Sequence, residues 1–289
     1  MSRFLEDLAQ FCRDIGANVY DIGVVENGGY EAERMMVHEA NDCTNIYSVA
    51  KAFTVTGVGL LVDRGLLSVE ERVCDVLGAL CPAEMDARWR GVTVDMVLRH
   101  RTGLPCGFLD IDSQDPLTFG RDYLHYMLTA PLVGDPDAQE IYTDAAYYLL
   151  SRLVELRCGK NLDDLLREHI YNPLGFREAA FSRCPQGHAM GATGLYLRAD
   201  DMAKLGALYM HGGEWRGERI LSSEWVSTVL ERGYELRPDG YGKFGAYGKG
   251  GMYGQILLVI PEKERVVAFT GCNRSAGYSS RIVRYAIDY

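Results

Sequence analysis

Strand-forming segments lie near both ends of the 289-residue sequence and enclose a middle portion with helical patterning. Residues 17–40 contain two runs rich in apolar and β-branched residues around an Asn-Gly-Gly turn signal, which predicts a β-hairpin. Near the other end, the runs QILLVIP and RVVAFTGCN flank a charged turn, and a closing helix is predicted from about residue 275. This order indicates an α/β sheet domain interrupted by a helical insertion.

The middle portion shows apolar residues at spacings of three and four, which is typical of helices packed on a core. The segments with this pattern are TVDMVLRH, GRDYLHYMLTA, TDAAYYLLSRLVEL and NLDDLLREHIYNPLG. We therefore predict an all-helical subdomain over residues 68–185 and a sheet domain built from residues 1–67 and 186–289.

Composition narrows the classes of function. The formal charge of −10, with no run of Lys or Arg, argues against a partner with a phosphate backbone, so no nucleic acid is expected. No uncharged apolar stretch reaches the ~18 residues that a bilayer span needs, so no membrane partner is expected either. The N-terminal segment MSRFLEDLAQFCRDIG lacks the pattern of a secretory signal, which predicts a cytoplasmic protein. The sequence carries no signal for an oligomeric state.

The eight cysteines are scattered along the chain without a CxxC pair or a Cys/His set at zinc spacing, and the six histidines form no metal set. We expect free buried thiols, no metal site and no cofactor. The segment YGKGGMYG fails the spacing of a phosphate-binding loop, and the chain has no GxSxG turn.

The apolar segment NIYSVAKAF places a serine and a lysine three residues apart, as Ser48 and Lys51. A buried helix is predicted from residue 47 to its C-cap at Gly65, and on a helix residues i and i+3 share a face. An amine in an apolar site binds its proton less tightly, so Lys51 could accept the proton of Ser48 and make it a nucleophile. Alternatively, Ser48 only caps the helix and Lys51 extends to the surface.

Three further segments follow this SxxK motif along the chain: MVLRHRTGLP, NPLGFREAAFS and GATGLYLRADDMAKLGALYMHGGEWRGERILS. Together they resemble the serine β-lactamase-like hydrolases, the superfamily of class C β-lactamases, DD-peptidases and related esterases, over roughly residues 40–275. The resemblance implies the β-lactamase/transpeptidase-like fold, an antiparallel sheet flanked by helices with an inserted all-helical subdomain. It places the active site between the two domains.

The resemblance also implies roles for residues beyond Ser48 and Lys51. Tyr142, in a Tyr-Thr-Asp segment, looks like the family tyrosine that serves as general base or acid. Lys249 and Gly251, in a Lys-Gly-Gly segment, match the third element on a strand beside the nucleophile, where lysine supplies positive charge. By analogy, the backbone N–H groups of Ser48 and Met252 would form the oxyanion hole.

Two positions depart from the family pattern. Asp144 stands where many relatives have Asn, so a substrate-binding amide N–H is missing, and a carboxylate near Lys51 would stabilise its ammonium form. Gly250 replaces a threonine whose hydroxyl helps relatives bind the carboxylate of a β-lactam. Both departures shift the expected substrate away from penicillins.

We therefore expect a serine hydrolase that works through an acyl-enzyme, an esterase or acyltransferase on a small acyl substrate. Its partner would be a small-molecule ester or amide. Two alternatives remain open: a non-catalytic member of the fold that only binds a ligand, and a weak β-lactamase or D-amino-acid peptidase.

Overall fold

The computed structural model describes residues 2–36, 42–238, 243–274 and 277–289. The strands are β1 Val19–Glu26, β2 Gly29–Arg34, β3 Thr44–Asn45, β4 Ala179–Phe181, β5 Leu195–Leu197, β6 Glu214–Trp215, β7 Glu218–Arg219, β8 Tyr247–Gly250, β9 Ile256–Ile260 and β10 Arg265–Gly271. The helices are α1 Arg3–Asp14, α2 Ala50–Asp63, α3 Val73–Leu77, α4 Val94–Leu98, α5 Tyr123–Thr129, α6 Asp144–Cys158, α7 Leu162–Leu166, α8 Ala199–Met210, α9 Ser223–Arg232 and α10 Tyr278–Asp288.

Two compact units make up the chain. The first, here called the sheet unit, comprises Met1–Ala52, Arg167–Ala180 and Leu195–Tyr289. The second, the helical unit, comprises Phe53–Leu166 and Phe181–Gly194. The first boundary falls inside α2, so this helix begins in one unit and continues in the other.

An antiparallel five-stranded sheet in the order β2-β1-β10-β9-β8 forms the centre of the sheet unit. The predicted hairpin is present as β1 and β2, with Glu26 paired to Gly29. Asn27 and Gly28 have φ values of 50° and 73°, the conformation of a two-residue type I′ turn, for which Asn-Gly is the favoured sequence. Residues 37–40 of the predicted hairpin lie outside the described residues.

Helices cover both faces of this sheet, which confirms the predicted α/β class. Helices α1 and α10 bury one face, where alternate strand residues such as Ile22, Leu258 and Phe269 join the core. Helix α8 packs on the other face. A Cβ on Gly23 would lie 2.6 Å from the carbonyl oxygen of Ala199, so only glycine lets β1 approach α8 this closely.

The helical unit is organised around α6, which is buried from Asp144 to Val154 and contacts α3, α4 and α7. Helix α2 ends as predicted, because Gly65 follows it with a φ of 67° and the N–H of Leu66 bonds to the carbonyl of Leu61. Among the described residues, no helix is both long enough and apolar enough to cross a membrane.

Two expectations need correction, and a third is confirmed. Residues 68–185 are not all-helical, because 179–181 form β4, whose buried-exposed-buried alternation is a strand pattern. The predicted closing helix is present as α10, which begins at Tyr278, and residue 275 lies outside the described residues. The cysteines form no disulfide within the described part of the chain, but the expectation of burial holds only for Cys12 and Cys184, and Cys106 is exposed.

Candidate active site

The serine of the SxxK motif lies in a 3-10 turn, Tyr47–Val49, that leads directly into α2. Asn45 Oδ1 accepts the backbone N–H of Tyr47 at 2.8 Å and so holds the entry to this turn. Tyr47 has a φ of 49°, a left-handed conformation that costs a residue with a Cβ about 1–2 kcal/mol. Such strain is stored where the surrounding structure must aim one particular side chain, here the adjacent Ser48.

Ser48 and Lys51 form the pair that the sequence predicts. Lys51 Nζ donates a hydrogen bond to Ser48 Oγ at 3.0 Å, and the lysine is 0% exposed. The alternative that Lys51 extends to the surface is therefore wrong. Ser48 itself is partly exposed, so this residue has a buried nitrogen neighbour without being buried itself.

Gly251 lies against the chain just before Ser48. Its N–H donates to Gln255 O at 2.8 Å, and a Cβ built on it would lie 2.8 Å from the carbonyl oxygen of Ile46. Strand β8, which ends one residue earlier, contacts the 3-10 turn that holds Ser48. The absence of a side chain at Gly251 is thus what lets the end of β8 reach the serine turn.

Met252 lies in the turn that follows Gly251, and its side chain is 45% exposed. This turn is held by Gln255, a residue that the sequence analysis did not identify. Gln255 Oε1 accepts the N–H of Tyr253 at 3.2 Å, and its Nε2 donates to Gly271 O at 2.6 Å. The ring of Tyr253 contacts the ring of Tyr47 edge-on, with centroids 4.9 Å apart.

The ammonium of Lys249 forms an ion pair with the carboxylate of Glu235. The side chains are 14% and 2% exposed, so the pair is almost entirely buried. Glu235 was also missed by the sequence analysis, because no local pattern links two residues so far apart along the chain. Its φ of 65° is unusual for a residue with a long side chain.

Tyr142 lies in the helical unit, two residues before α6, and is 36% exposed. Its ring packs on the buried ring of His100 with centroids 4.4 Å apart. His100 Nδ1 accepts the N–H of Thr143 at 3.3 Å, and His100 O accepts the N–H of Ile141 at 2.8 Å. The histidine therefore binds the backbone on both sides of Tyr142 and holds this segment in place.

Asp144 is the first residue of α6 and is 6% exposed. One carboxylate oxygen from each of Asp110, Asp112 and Asp144 lies within 4.8 Å of the other two. Thr193 Oγ1 donates a hydrogen bond to Asp112. Asp144, one of the two departures from the family pattern, therefore lies in an acidic environment.

The predicted residues thus fall into two groups. The sheet unit holds Ser48, Lys51, Lys249, Gly251 and Met252. The helical unit holds the two remaining candidates, the tyrosine and the aspartate of the Tyr-Thr-Asp segment. That the two groups act on one substrate stays a prediction.

Known proteins resemble this chain in sequence and in fold. Penicillin-binding protein 4 of Amycolatopsis lactamdurans is 35% identical over 136 residues, which are 46% of this chain and 34% of that protein. A penicillin-binding protein of Bacillus subtilis (strain 168) is 24% identical over 283 residues, with 87% of this chain and 59% of that protein covered. The chain therefore spans less than two thirds of the length of either relative.

A solved family VIII carboxylesterase shares the fold, with a TM-score of 0.76 at 18% identity over 98% of this chain and 96% of that one. The family model Beta-lactamase matches residues 16–285, a range that includes every candidate residue described above. The chain therefore belongs to the beta-lactamase family.

Proposed function

We propose that the chain is a serine hydrolase that forms an acyl-enzyme on Ser48 and acts on a small ester, by hydrolysis or by transfer of the acyl group. The observation that carries this proposal is the 3.0 Å hydrogen bond between Lys51 Nζ and Ser48 Oγ, with the lysine fully buried. Burial disfavours the charged form of an amine, and a neutral amine at this distance can accept the proton of a hydroxyl.

In the first half-reaction, Ser48 Oγ bonds to the carbonyl carbon of the ester while its proton moves to Lys51. The backbone N–H groups of Ser48 and Met252 stabilise the negative charge that develops on the carbonyl oxygen. The bond to the alcohol then breaks, and the alcohol leaves with the proton. In the second half-reaction, the oxygen of water or of an acceptor alcohol bonds to the acyl carbon and gives up its proton. The bond from that carbon to Ser48 Oγ then breaks, Ser48 regains a proton, and the acid or the new ester leaves.

Tyr142 is proposed as the second group that moves this proton. Support comes from its place in the Tyr-Thr-Asp segment and from the packing that holds its ring on His100. Asp144 would contact substrate as an acceptor only, because its carboxylate cannot donate an N–H as asparagine does. Substrates with a hydrogen-bond donor would suit this position better than a β-lactam carbonyl would.

The choice of an ester substrate rests on two supports. The family VIII carboxylesterase shows that this fold accommodates an enzyme described as an esterase. The Lys-Gly-Gly segment of this chain also lacks the hydroxyl that would assist in binding the carboxylate of a penicillin. The cytoplasmic location remains a prediction from the N-terminal sequence.

Pre-steady-state kinetics with p-nitrophenyl butyrate test the proposal. We expect a burst of p-nitrophenol whose amplitude matches the enzyme concentration, followed by slower turnover. The Ser48→Ala variant should show neither phase, and Ser68→Ala is a matched control outside the site. Equal rates for wild type and Ser48→Ala would contradict the proposal.

A peptidase or β-lactamase activity is the second candidate, because both curated relatives named above are penicillin-binding proteins. Nitrocefin and D-Ala-D-Ala peptides measure it directly, and faster acylation by these compounds than by the ester would favour it. A third candidate, ligand binding without turnover, would be indicated by a thermal shift with esters and no product.

A further inference from the structure

We propose that Glu235 determines substrate specificity by neutralising Lys249, so that the site accepts acyl substrates without a carboxylate near the end of β8. This inference rests on the proposed function and names its substrate class. It depends on four features of the sheet unit. They are the position of Lys249, the burial of its ion pair with Glu235, the backbone bridge that holds the two residues beside each other, and the absence of net charge on the pair.

Lys249 is placed to meet a substrate bound at Ser48. It lies on β8 two residues before Gly251, whose N–H continues the strand pairing by donating to Gln255 O, and residues two apart in a paired extended segment project to the same face. The Cβ direction of Gly251 points at the carbonyl oxygen of Ile46, which is two residues from Ser48. The face of β8 that carries Lys249 is therefore the face beside the serine turn.

The Lys249–Glu235 pair is buried, and this gives it a fixed geometry. The Glu235 side chain is only 2% exposed, so its carboxylate has lost most of its hydration and is held by the lysine. Separating the two groups would leave a buried charge without compensation, which is strongly unfavourable. An incoming anion would have to meet that cost to take the ammonium from Glu235.

The backbone fixes the register of this pair. Arg237 and Gly248 form a bridge in which each N–H donates to the carbonyl of the other, at 3.2 and 2.9 Å. Glu235 and Lys249 flank the bridge. The left-handed φ of Glu235 adds a conformational cost that the surrounding bonds must offset, as is common where one side chain must be aimed.

The net charge of the Lys249–Glu235 pair determines which substrates fit. A lone ammonium beside the nucleophile attracts a carboxylate, whereas a paired ammonium presents no net charge, and its glutamate repels a second carboxylate. The ammonium can still donate hydrogen bonds to a neutral acceptor such as an ester carbonyl. Gly250, next to Lys249, provides no hydroxyl that could compensate.

Two matched pairs of esters test the inference. Methyl p-nitrophenyl adipate and mono-p-nitrophenyl adipate differ only in a carboxylate on the acyl side. Methyl 3-butyryloxybenzoate and 3-butyryloxybenzoate differ only in a carboxylate on the alcohol side. For at least one pair, we expect the wild type to prefer the neutral ester by at least about tenfold in kcat/KM, a ratio that electrostatic discrimination readily supplies.

The Glu235→Gln variant should reduce that preference at least about tenfold, mainly through a lower KM for the charged ester, since it keeps the shape of the side chain but removes its negative charge. Glu26→Gln, which removes the carboxylate from the buried Arg265 pair elsewhere in the sheet unit, is the control and should keep the wild-type ratio. An unchanged ratio in Glu235→Gln would overturn the inference.

Further readouts separate this inference from the proposed function. If Glu235→Gln does not fold, the wild type alone decides, because equal kcat/KM for the charged and neutral esters of both pairs overturns the inference. If no ester is turned over and Ser48 is not acylated, the hydrolase proposal fails. Binding of monomethyl adipate, measured by calorimetry, then tests the inference: tighter binding by Glu235→Gln than by wild type supports it, and equal binding overturns it.

Discussion

Lys51 Nζ donates a hydrogen bond to Ser48 Oγ at 3.0 Å while the lysine side chain is completely buried. An interior lysine is costly, and natural proteins rarely keep one without a partner or a function. Here the strained Tyr47 and the close approach of Gly251 both act on the turn that carries the hydroxyl. The sheet unit thus holds the two groups that the proposed acylation requires, together with the backbone that positions them.

The first prediction concerns the amine. Lys51→Met keeps an apolar side chain of similar length but removes the proton acceptor, so kcat with p-nitrophenyl butyrate should fall roughly 100- to 10,000-fold. Lys243→Met is the control, because its side chain is 70% exposed, and its kcat should stay within about twofold of wild type. Activity in Lys51→Met close to wild type would show that another group takes the proton.

The second prediction concerns the phenol of the helical unit. Tyr142→Phe keeps the ring that packs on His100 but removes the hydroxyl, so folding should be preserved while kcat falls roughly 100-fold or more. Tyr196→Phe on β5, where the tyrosine is 44% exposed, is the matched control. A Tyr142→Phe enzyme with unchanged kcat and unchanged pH profile would remove Tyr142 from the mechanism.

The third prediction compares two neighbouring glycines. A Cβ on Gly251 would lie 2.8 Å from Ile46 O and 2.6 Å from Gln255 Oε1, so Gly251→Ala should lower the free energy of unfolding by about 1–3 kcal/mol. A Cβ on Gly250 meets its nearest atom, Ile256 Cδ1, at 3.4 Å, so Gly250→Ala should cost less than about 1 kcal/mol. Urea unfolding of the two variants measures both values, and equal costs would contradict the packing described here.

The fourth prediction is a pH dependence of stability. Burial of Cys12 in the core of the sheet unit raises the pKa of its thiol from 9.0 to about 12, with a smaller opposing effect from Arg13. The thiol therefore stabilises the fold fully below about pH 9. Above that pH the unfolded chain ionises first, and the contribution falls by up to about 1.4 kcal/mol per pH unit as the pH approaches 12.

Urea unfolding of wild type and Cys12→Ala between about pH 8 and pH 10.5 isolates this contribution, because alanine has no proton to lose. The advantage of the wild type over the variant should shrink as the pH rises. Parallel curves over the whole range would mean that the thiol ionises equally in the folded and unfolded chain.

Local signals explain what the sequence predicted correctly. The Asn-Gly turn specifies the β1–β2 hairpin because both residues tolerate a positive φ, and Gly65 ends α2 for the same reason. The i, i+3 spacing of Ser48 and Lys51 survives the change from helix to 3-10 turn at the serine, because both geometries bring these side chains together.

Nonlocal contacts explain what was missed. Glu235 pairs with Lys249 only because the bridge between Arg237 and Gly248 brings two distant segments together. Gln255 accepts the N–H of Tyr253 within the turn after Gly251 and ties this turn to β10 by donating to Gly271 O. Neither residue belongs to a motif, so neither leaves a pattern in a single sequence.

The claim that Ser48 is an activated nucleophile can be measured without knowing the substrate. Intact wild-type protein is treated with a fluorophosphonate probe, digested and mapped by mass spectrometry. The account predicts one phosphonyl group per chain on Ser48, abolished in Ser48→Ala and strongly slowed in Lys51→Met. A wild-type protein that remains unlabelled, or is labelled equally in Ser48→Ala, would contradict it.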